Sequence, residues 1–163
     1  MRRISSALAM LLTAGSATAN TQQQELYTEK NYTVYNNIKS CELYADYEDS
    51  SLLRLSYNGF TKTVNFTYYA EKWSRMAVGS SFTVSLATDD DPKFSIGGAG
   101  FVVDKGDLKG IHHVGGDEVL TLLQGAKALR LEGPHNIPLA YLDVSGMDTA
   151  MKRLKICGDS KTE

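Results

Sequence analysis

Apolar and polar residues alternate along several short segments of this chain, which is the pattern of β-strands with one buried face. Two such runs lie between Leu52 and Tyr69 on either side of an Asn-Gly dipeptide, which favours tight hairpin turns. Another run over 82–86 ends at the cluster 89–92, where three aspartates and a proline predict a turn. Antiparallel strands in succession predict a meander or a sandwich rather than a βαβ fold.

The last third of the chain adds helical periodicity. Asp117 predicts the start of a short helix that ends near Gly125, and strands are predicted over 128–131 and 139–144. A second helix is predicted because five apolar residues fall on one helical face: Met147, Ala150, Met151, Leu154 and Cys157. The whole pattern predicts a β-rich α+β fold, in which an antiparallel sheet or a β-sandwich carries two short helices in the C-terminal third.

The first 19 residues have the three parts of a secretory signal peptide. Arg2 and Arg3 supply positive charge, a short apolar run follows over 4–12, and 17–19 has the small-residue pattern of a cleavage site. The run is too short for a transmembrane helix, which needs about 20 apolar residues. No cysteine follows it that a lipid anchor would use. We therefore expect a periplasmic or secreted protein without a membrane anchor after cleavage.

We expect the chain to consist of three segments. These are the signal peptide over 1–19, a flexible polar leader over 20–30 and a single β-rich domain over 31–163, which is long enough for one hydrophobic core. The sequence has a net charge of −2, and loss of Arg2 and Arg3 with the signal peptide makes the remainder more acidic. Because nucleic-acid-binding proteins concentrate Lys and Arg in a patch, nucleic acid is not an expected partner.

The chain contains two cysteines, Cys41 and Cys157, far apart in the predicted domain. An even number of cysteines in an oxidising compartment predicts a disulfide. This bond would join the segment before the first long strand to the inward face of the last helix. Two unpaired buried thiols are the alternative, and no histidine lies beside either cysteine in sequence to indicate a nucleophile.

Two histidines and nearby acidic residues raise the question of a metal site. His112 and His113 precede Asp117 and Glu118, and imidazole with carboxylate suits zinc or copper. However, adjacent side chains in an extended segment point in opposite directions, and the local spacing supplies no third ligand. We therefore predict a solvated loop before the first helix, with His112 and His113 as weak candidate ligands and with no metal or other cofactor.

Two further segments have the composition of ligand-binding loops but not their spacing. The cluster Asp89–Asp91 lacks the spaced acids and distal glutamate of an EF-hand, so a turn is favoured over a calcium site. The segment Gly97–Gly100 is not followed by the helix and the Lys-Ser/Thr pair of a phosphate-binding loop. We predict a flexible turn or bulge there.

Tyrosines are concentrated in the first half of the chain. A tyrosine combines a broad apolar face with a hydroxyl group and is favoured at recognition surfaces. We therefore predict a candidate binding surface that contains Tyr44, Tyr47, Tyr69 and Trp73. Tyrosine is also a good strand former, so a structural role on the sheet is the alternative.

The order of features along the chain resembles that of small two-cysteine exported bacterial proteins. The segment 139–157 reads LAYLDVSGMDTAMKRLKIC, a strand and a glycine turn followed by a helix that ends in cysteine. Lys72-Trp73, Gly79 and Cys41 also occupy similar places. The chain is similar to the invasion-associated locus B type and to an accessory periplasmic protein of type VI secretion. The resemblance implies a β-rich exported domain without an assigned reaction and carries over no catalytic residue.

Two classes of function follow from these observations. The favoured class is a non-catalytic exported binding or accessory module that recognises a protein or a cell-envelope component through a sheet face or its loops. The alternative is a hydrolase or metal-dependent enzyme that uses His112 or His113 with acidic residues from distant strands. The sequence has no Gly-x-Ser-x-Gly nucleophile motif, and no catalytic residue is predicted.

Overall fold

The computed structural model describes residues 23–89 and 95–161, which form ten strands and two helices. The strands are β1 (Gln24–Glu29), β2 (Tyr32–Asn36), β3 (Cys41–Asp46), β4 (Leu52–Asn58), β5 (Thr63–Ala70), β6 (Ser81–Thr88), β7 (Ser95–Lys105), β8 (Leu108–Gly116), β9 (Ala128–Glu132) and β10 (Pro138–Asp143). Helix α1 (Glu118–Leu123) follows β8, helix α2 (Asp148–Asp159) follows β10, and short 3₁₀ segments cover Glu71–Trp73 and Pro134–Asn136. The predicted signal peptide over 1–19 lies outside the described residues.

All ten strands belong to one antiparallel sheet in the order β1-β2-β3-β4-β5-β8-β7-β6-β9-β10. Strands β1–β5, the first half of the sheet, are neighbours in the order in which they occur in the chain. In the second half, β6–β10, strand β8 pairs with β5, and β6 pairs with β9. The predicted β-rich α+β fold is confirmed, and of the two predicted arrangements the structure has a single open sheet rather than a sandwich.

The predicted hairpin in the first half is formed by β4 and β5. Its connection is longer than a two-residue turn. The Oδ1 atom of Asn58 accepts hydrogen bonds from the backbone N–H groups of residues 60 and 61, at 3.0 and 3.1 Å. Gly59 is needed for packing, since a Cβ atom there would lie 2.4 Å from the carbonyl oxygen of Gly158. This glycine lets the end of α2 approach the hairpin.

Both helices pack on the same face of the sheet, which we name the inner face, and enclose one hydrophobic core. Helix α2 lies against β1–β4, and α1 lies against β6–β8. The residues predicted to share one face of the second helical segment are all buried: Met147, Ala150, Met151, Leu154 and Cys157. Because burial of a large apolar side chain contributes roughly 1.5–3 kcal/mol, this stripe determines how α2 lies on the sheet.

The predicted disulfide is present. Cys41 at the start of β3 is bonded to Cys157 in α2, and 5.9 Å separate their Cα atoms. The bond closes a loop between residues that are 116 positions apart in the chain. It therefore ties the last helix to a strand near the front of the sheet, as the sequence predicts.

The end of α2 also has noncovalent contacts with the first half of the sheet. The ring of Tyr57 lies so close to Gly158 that a Cβ atom there would be 2.2 Å from Cδ1 of the ring. The carboxylate of Asp159 accepts hydrogen bonds from the Tyr57 hydroxyl at 2.9 Å and from Lys62 and Lys155, each at 2.8 Å. These three cationic and hydroxyl donors hold the pKa of Asp159 well below its usual range, with the two lysines as the largest causes.

The segment predicted to be a loosely held leader contains a strand. Residues Gln24–Glu29 form β1, which pairs with β2 and places Thr28 opposite Thr33. Most of β1 is exposed, because its polar residues provide little apolar surface to bury. Main-chain pairing with β2 and contact with α2 hold it in the sheet. The sheet therefore begins before residue 31, the predicted start of the domain.

Two segments predicted to be loops are strands in the middle of the sheet. His112 and His113 lie in β8, not in a solvated loop, and Gly97–Gly100 lies in β7, not in a flexible turn. A Cβ atom on Gly98 would lie 2.5 Å from Cε1 of His113, and one on Gly100 would lie 2.5 Å from Cγ1 of Val84. These glycines are needed because neighbouring side chains lie directly on the β7 backbone. Local composition does not reveal that requirement.

Candidate binding surfaces

One row of side chains crosses the outer face of the sheet, the face opposite the two helices. The strand register places Tyr44, Arg54, Thr67, His112 and Phe101 side by side on β3, β4, β5, β8 and β7. Side chains at facing positions of neighbouring strands lie about 5 Å apart and interact directly. We name these five residues the outer row.

The charged end of the outer row is internally paired. Arg54 forms an ion pair with the buried Glu42, and the Tyr44 hydroxyl donates a hydrogen bond to Oε2 of Glu42 at 2.7 Å. The ring of Tyr35 meets that of Tyr44 edge-on, with 5.6 Å between centroids. Burial raises the pKa of Tyr44 to about 12, and the hydrogen bond to Glu42 adds to this increase. Tyr44 is therefore neutral at physiological pH.

Lys105 covers two tyrosines at this end of the outer face. Its Nζ atom lies 5.5 Å from the ring centroids of both Tyr44 and Tyr69, a separation at which cations and aromatic faces attract each other. The ring of Tyr69 lies on Gly110, where a Cβ atom would be 2.6 Å from the ring. Two of the four residues of the predicted binding surface, Tyr44 and Tyr69, therefore lie close together on the outer face.

The other end of the outer row is apolar and exposed. Phe101 on β7 is 42% exposed, and Val114 on the neighbouring strand β8 is 48% exposed. Between the two ends, Nδ1 of His112 lies 2.8 Å from Oγ1 of Thr67. Burial lowers the pKa of His112, and the nearby Arg54 lowers it further. The centre of the row is therefore uncharged at neutral pH.

A second group of tyrosines lines a cleft between the β3–β4 connection and the end of β10, which we name the tyrosine cleft. Its walls include Tyr32, Tyr47, Tyr68, Asp49 and Asp143. The two carboxylates come from different elements, since Asp49 belongs to the β3–β4 connection and Asp143 ends β10. The cleft thus combines aromatic faces with negative charge.

The three tyrosine hydroxyls of the cleft differ in their hydrogen bonding. Tyr32 donates to the carbonyl oxygen of Ser145 at 3.1 Å, and Tyr68 donates to Oγ of Ser51 at 2.8 Å. The hydroxyl of Tyr47 is buried and has no hydrogen-bond partner among the described residues. Burial raises the pKa of Tyr47, and the neighbouring Tyr32 and Tyr68 add to the increase.

The remaining aromatic residues of the predicted surface do not join Tyr44 and Tyr69. Trp73 is only 6% exposed, because the 3₁₀ segment after β5 turns it into the core, where its ring meets that of Tyr68 edge-on at 5.3 Å. The ring of Tyr47 also meets that of Tyr68 edge-on, with 6.3 Å between the ring centroids. The structure therefore divides the four residues: two lie on the outer face, Tyr47 lies at the cleft, and Trp73 lies in the core.

The two histidines point to opposite faces of β8, as predicted from their adjacency. His112 belongs to the outer row, whereas His113 is buried on the inner face with Nδ1 3.1 Å from the carbonyl oxygen of Ala99. The Nε2 atom of His113 has no hydrogen-bond partner among the described residues. In the same part of the chain, no three His, Cys, Asp or Glu side chains are grouped as metal ligands.

The aspartate cluster after β6 is described only at Asp89, since residues 90–94 lie outside the described ranges. Asp89 lies 3.4 Å from Nε of Arg130 and accepts a hydrogen bond from the hydroxyl of Tyr141. Both partners lie on the last two strands. This aspartate therefore links the end of β6 to the β9–β10 edge of the sheet.

Several residues of the two surfaces were not predicted from sequence. Phe101 and Lys105 lie on β7, whose glycine-rich beginning hides the alternation of a strand. Tyr32 and Asp143 meet at the cleft although 111 positions separate them in the chain. The high tyrosine content of the first half is the one signal in the sequence that points toward both surfaces.

The disulfide indicates the kind of compartment in which the protein folds. Disulfides form and persist in oxidising compartments outside the cytoplasm, and both cysteines of this chain are used in the bond. Among the residues that the structure describes, no helix is long and apolar enough to cross a membrane. The bond indicates an extracytoplasmic protein.

Comparison with known proteins reveals a similarity of fold. No protein-family model matches the chain, and no curated protein matches it in sequence. Its structure is similar to the crystal structure of invasion associated protein B from Bartonella henselae, with a TM-score of 0.54 and 16% sequence identity, over 78% of this chain and 94% of that chain. The resemblance to the type VI secretion accessory protein stays a prediction. The resemblance to the invasion-associated locus B type is confirmed at the level of fold, and this disulfide-linked ten-stranded sheet shares the fold of invasion associated protein B.

Proposed function

We propose that this chain is an exported, non-catalytic binding module that recognises a protein partner through the outer row. Export to the periplasm or the surroundings is supported by the signal-peptide pattern of residues 1–19 and by the disulfide. Both helices pack on the inner face, so neither covers the outer row. The partner is expected to be a protein of the same compartment.

The exposure of Phe101 carries this proposal. Phe101 and Val114 lie on β7 and β8, which have neighbouring strands on both sides, and a large share of each side chain is open to solvent. Aromatic side chains and arginine are enriched at the centres of protein interfaces, where a few of them supply most of the binding energy. The outer row joins exposed Phe101 to Arg54 and Tyr44 across five strands.

The paired charges at the other end of the row suit recognition rather than chemistry. Arg54 is neutralised by Glu42, and Tyr44 is hydrogen-bonded to the same carboxylate. These side chains are already ordered, so they would lose little further conformational entropy when a partner binds. The enzyme alternative requires a histidine beside acidic side chains, but among the described residues His112 contacts Thr67 and His113 contacts the carbonyl oxygen of Ala99.

Affinity capture with three forms of the protein tests the proposal. Wild-type protein, Phe101→Asp and the control Ile156→Asp are immobilised and exposed to extract from the same compartment, and bound proteins are identified by mass spectrometry. Ile156 is 65% exposed on α2, on the opposite side of the sheet. Ile156→Asp therefore also replaces an exposed apolar side chain with an acidic one, but away from the outer row. Thermal unfolding establishes that each variant is folded.

We expect a protein that binds wild type and Ile156→Asp but is lost with Phe101→Asp. Its affinity, measured with purified components, should fall at least tenfold in Phe101→Asp, as expected for an interface centre. Recognition through the outer row would be contradicted if Phe101→Asp still bound every partner of the wild type. It would also be contradicted if the wild type bound only cell-wall polymer.

A further inference from the structure

We infer that the tyrosine cleft binds an organic cation, an alkylammonium or guanidinium group such as the side chain of a lysine or arginine. The cleft lies at the β3–β4 connection and the end of β10, apart from the outer row, and its occupation does not depend on the proposed function. Three features of the cleft support this inference: an unpaired hydroxyl, two carboxylates that are held in an ionised state, and an excess of negative charge beside aromatic rings.

The unpaired hydroxyl is that of Tyr47. A buried polar group without a hydrogen bond costs free energy, and native structures contain few of them. The flanking hydroxyls of Tyr32 and Tyr68 are already bonded to Ser145 and Ser51. Of these three tyrosines, Tyr47 is therefore the one whose hydroxyl has no partner among the described residues, and a ligand in the cleft could supply one.

The two carboxylates, Asp49 and Asp143, are each held in place by a serine. Asp49 accepts hydrogen bonds through Oδ1 from the backbone N–H and hydroxyl of Ser51, at 3.0 and 2.5 Å. Asp143 accepts one through Oδ1 from the backbone N–H of Ser145 at 2.8 Å. The side chain of Ser145 also hydrogen-bonds to Asp143. The Ser51 and Ser145 bonds lower the pKa of both groups, so both are ionised at neutral pH.

The negative charge of the cleft favours a positively charged ligand. Asp46 and Glu48 lie on its walls beside Asp49 and Asp143, and Lys30 is the one basic side chain among its described lining residues. An anion would meet this excess of carboxylates at close range. A cation would be attracted by the carboxylates and by the tyrosine rings, whose faces carry partial negative charge.

A lysine peptide and its neutral counterpart test the inference. Isothermal titration calorimetry is carried out at low salt with disulfide-bonded protein and three probes: end-blocked Gly-Lys-Gly, the same peptide acetylated at Nζ, and spermidine. Acetylation removes the charge and two of the three donors but keeps the length of the side chain. Spermidine distinguishes a free polyamine from a peptide side chain as the source of the cation.

Variants locate the binding to the cleft. Asp143→Asn and Asp49→Asn each keep the oxygen that accepts the backbone N–H but remove the charge. Tyr47→Phe removes the unpaired hydroxyl alone. Asp117→Asn, at the start of α1, changes the net charge equally outside the cleft and serves as the matched control.

We expect the lysine peptide or spermidine to bind, the acetylated peptide to bind at least tenfold more weakly, and each cleft aspartate variant to lower affinity about tenfold. Asp117→Asn should change it less than twofold. If spermidine alone binds, the natural ligand is a free polyamine. The inference is overturned if no cationic probe binds, if acetylation has no effect, or if Asp117→Asn weakens binding as much as Asp143→Asn.

Discussion

The two halves of the sheet are held together in different ways. In the first half, α2 is fastened to β3 by the Cys41–Cys157 disulfide and to the β4–β5 hairpin by the hydrogen bonds of Asp159. In the second half, α1 contains no cysteine, and β6, β7 and β8 are fitted together through glycines that leave room for His113 and Val84. The attachment of α2 in the first half thus includes specific bonds between distant residues, whereas β6, β7 and β8 in the second half fit together by close packing.

This difference predicts which changes each half tolerates. Bonds and charges can be removed chemically, by reduction, acid or salt, whereas close packing responds mainly to side-chain volume. The first half should therefore be sensitive to solution conditions and the second half to small increases in size. The predictions below test this division, in order of decreasing expected effect.

Removing the disulfide should have the largest effect. In the chain-entropy model, a loop of this length makes Cys41→Ala/Cys157→Ala less stable by about 4–5 kcal/mol, because the unfolded chain gains freedom. Urea unfolding measures the loss. Wild-type protein treated with a thiol reductant should lose a similar amount, and a loss below about 1 kcal/mol in both samples would remove the distinction between the halves.

A single added methyl group should disturb the second half. Gly98→Ala would place Cβ 2.5 Å from the buried ring of His113 and should cost about 1–3 kcal/mol through overpacking. Gly97→Ala is the matched control, since its nearest contact is at 3.7 Å, and it should change stability by less than about 0.5 kcal/mol. Equal effects of the two substitutions in urea unfolding would show that β7 is not held by close packing.

Removing the charge of Asp159 should have a smaller effect, confined to the first half. Asp159→Asn should lower the free energy of unfolding by about 1 kcal/mol at pH 7, less than the pKa change alone suggests, because solvent screens this partly exposed cluster. Since folding lowers the pKa of Asp159, its stabilisation is fully present above the unfolded-state pKa and is lost as pH falls below about 4.

Thermal unfolding between pH 2 and pH 7 measures this pH dependence. Wild type and Asp159→Asn should converge as pH falls, and 0.5 M salt should reduce their difference at pH 7. Asp107→Asn, in the β7–β8 connection, removes the same charge and should differ little from wild type throughout. A difference between wild type and Asp159→Asn that persists at the lowest pH would contradict the electrostatic interpretation.

The smallest effect is expected at the tyrosine cleft, where the two halves meet. Tyr47→Phe should change stability by less than about 0.5 kcal/mol, because the hydroxyl that it removes has no partner in the described structure. Tyr68→Phe removes a hydroxyl that donates to Ser51 and should cost about 1 kcal/mol. If Tyr47→Phe proved the more costly variant, the Tyr47 hydroxyl would have a partner in solution.

The first half could be predicted further from the sequence than the second. Its strands follow one another by short connections, so alternation and a turn signal suffice to pair β4 with β5. The neighbours of β8 cannot be predicted in this way. Strand β8 lies between β5 and β7 in the sheet, although β6 and β7 separate it from β5 in the sequence. Strand β1 was missed because an edge strand held mainly by main-chain hydrogen bonds needs no apolar pattern.

The candidate surfaces show the same limit. The inward aim of Cys157 could be predicted from helical periodicity, whereas Tyr44 and Tyr69 were predicted as surface residues from the concentration of tyrosines. The outer row needs the register of five strands, and the cleft needs the end of β10 to reach the β3–β4 connection. Trp73 was misplaced because the 3₁₀ segment turns the chain inward immediately after β5.

The separation of the two cysteines also orders events during biogenesis. At a synthesis rate of about 5–20 residues per second, the 116 positions between Cys41 and Cys157 correspond to about 6–23 s of elongation. Throughout this interval Cys41 has no partner thiol within the chain, because the sequence contains only one other cysteine. Oxidation is therefore a late step that requires nearly the whole domain, and until then Cys41 can react with thiols or disulfides of other molecules.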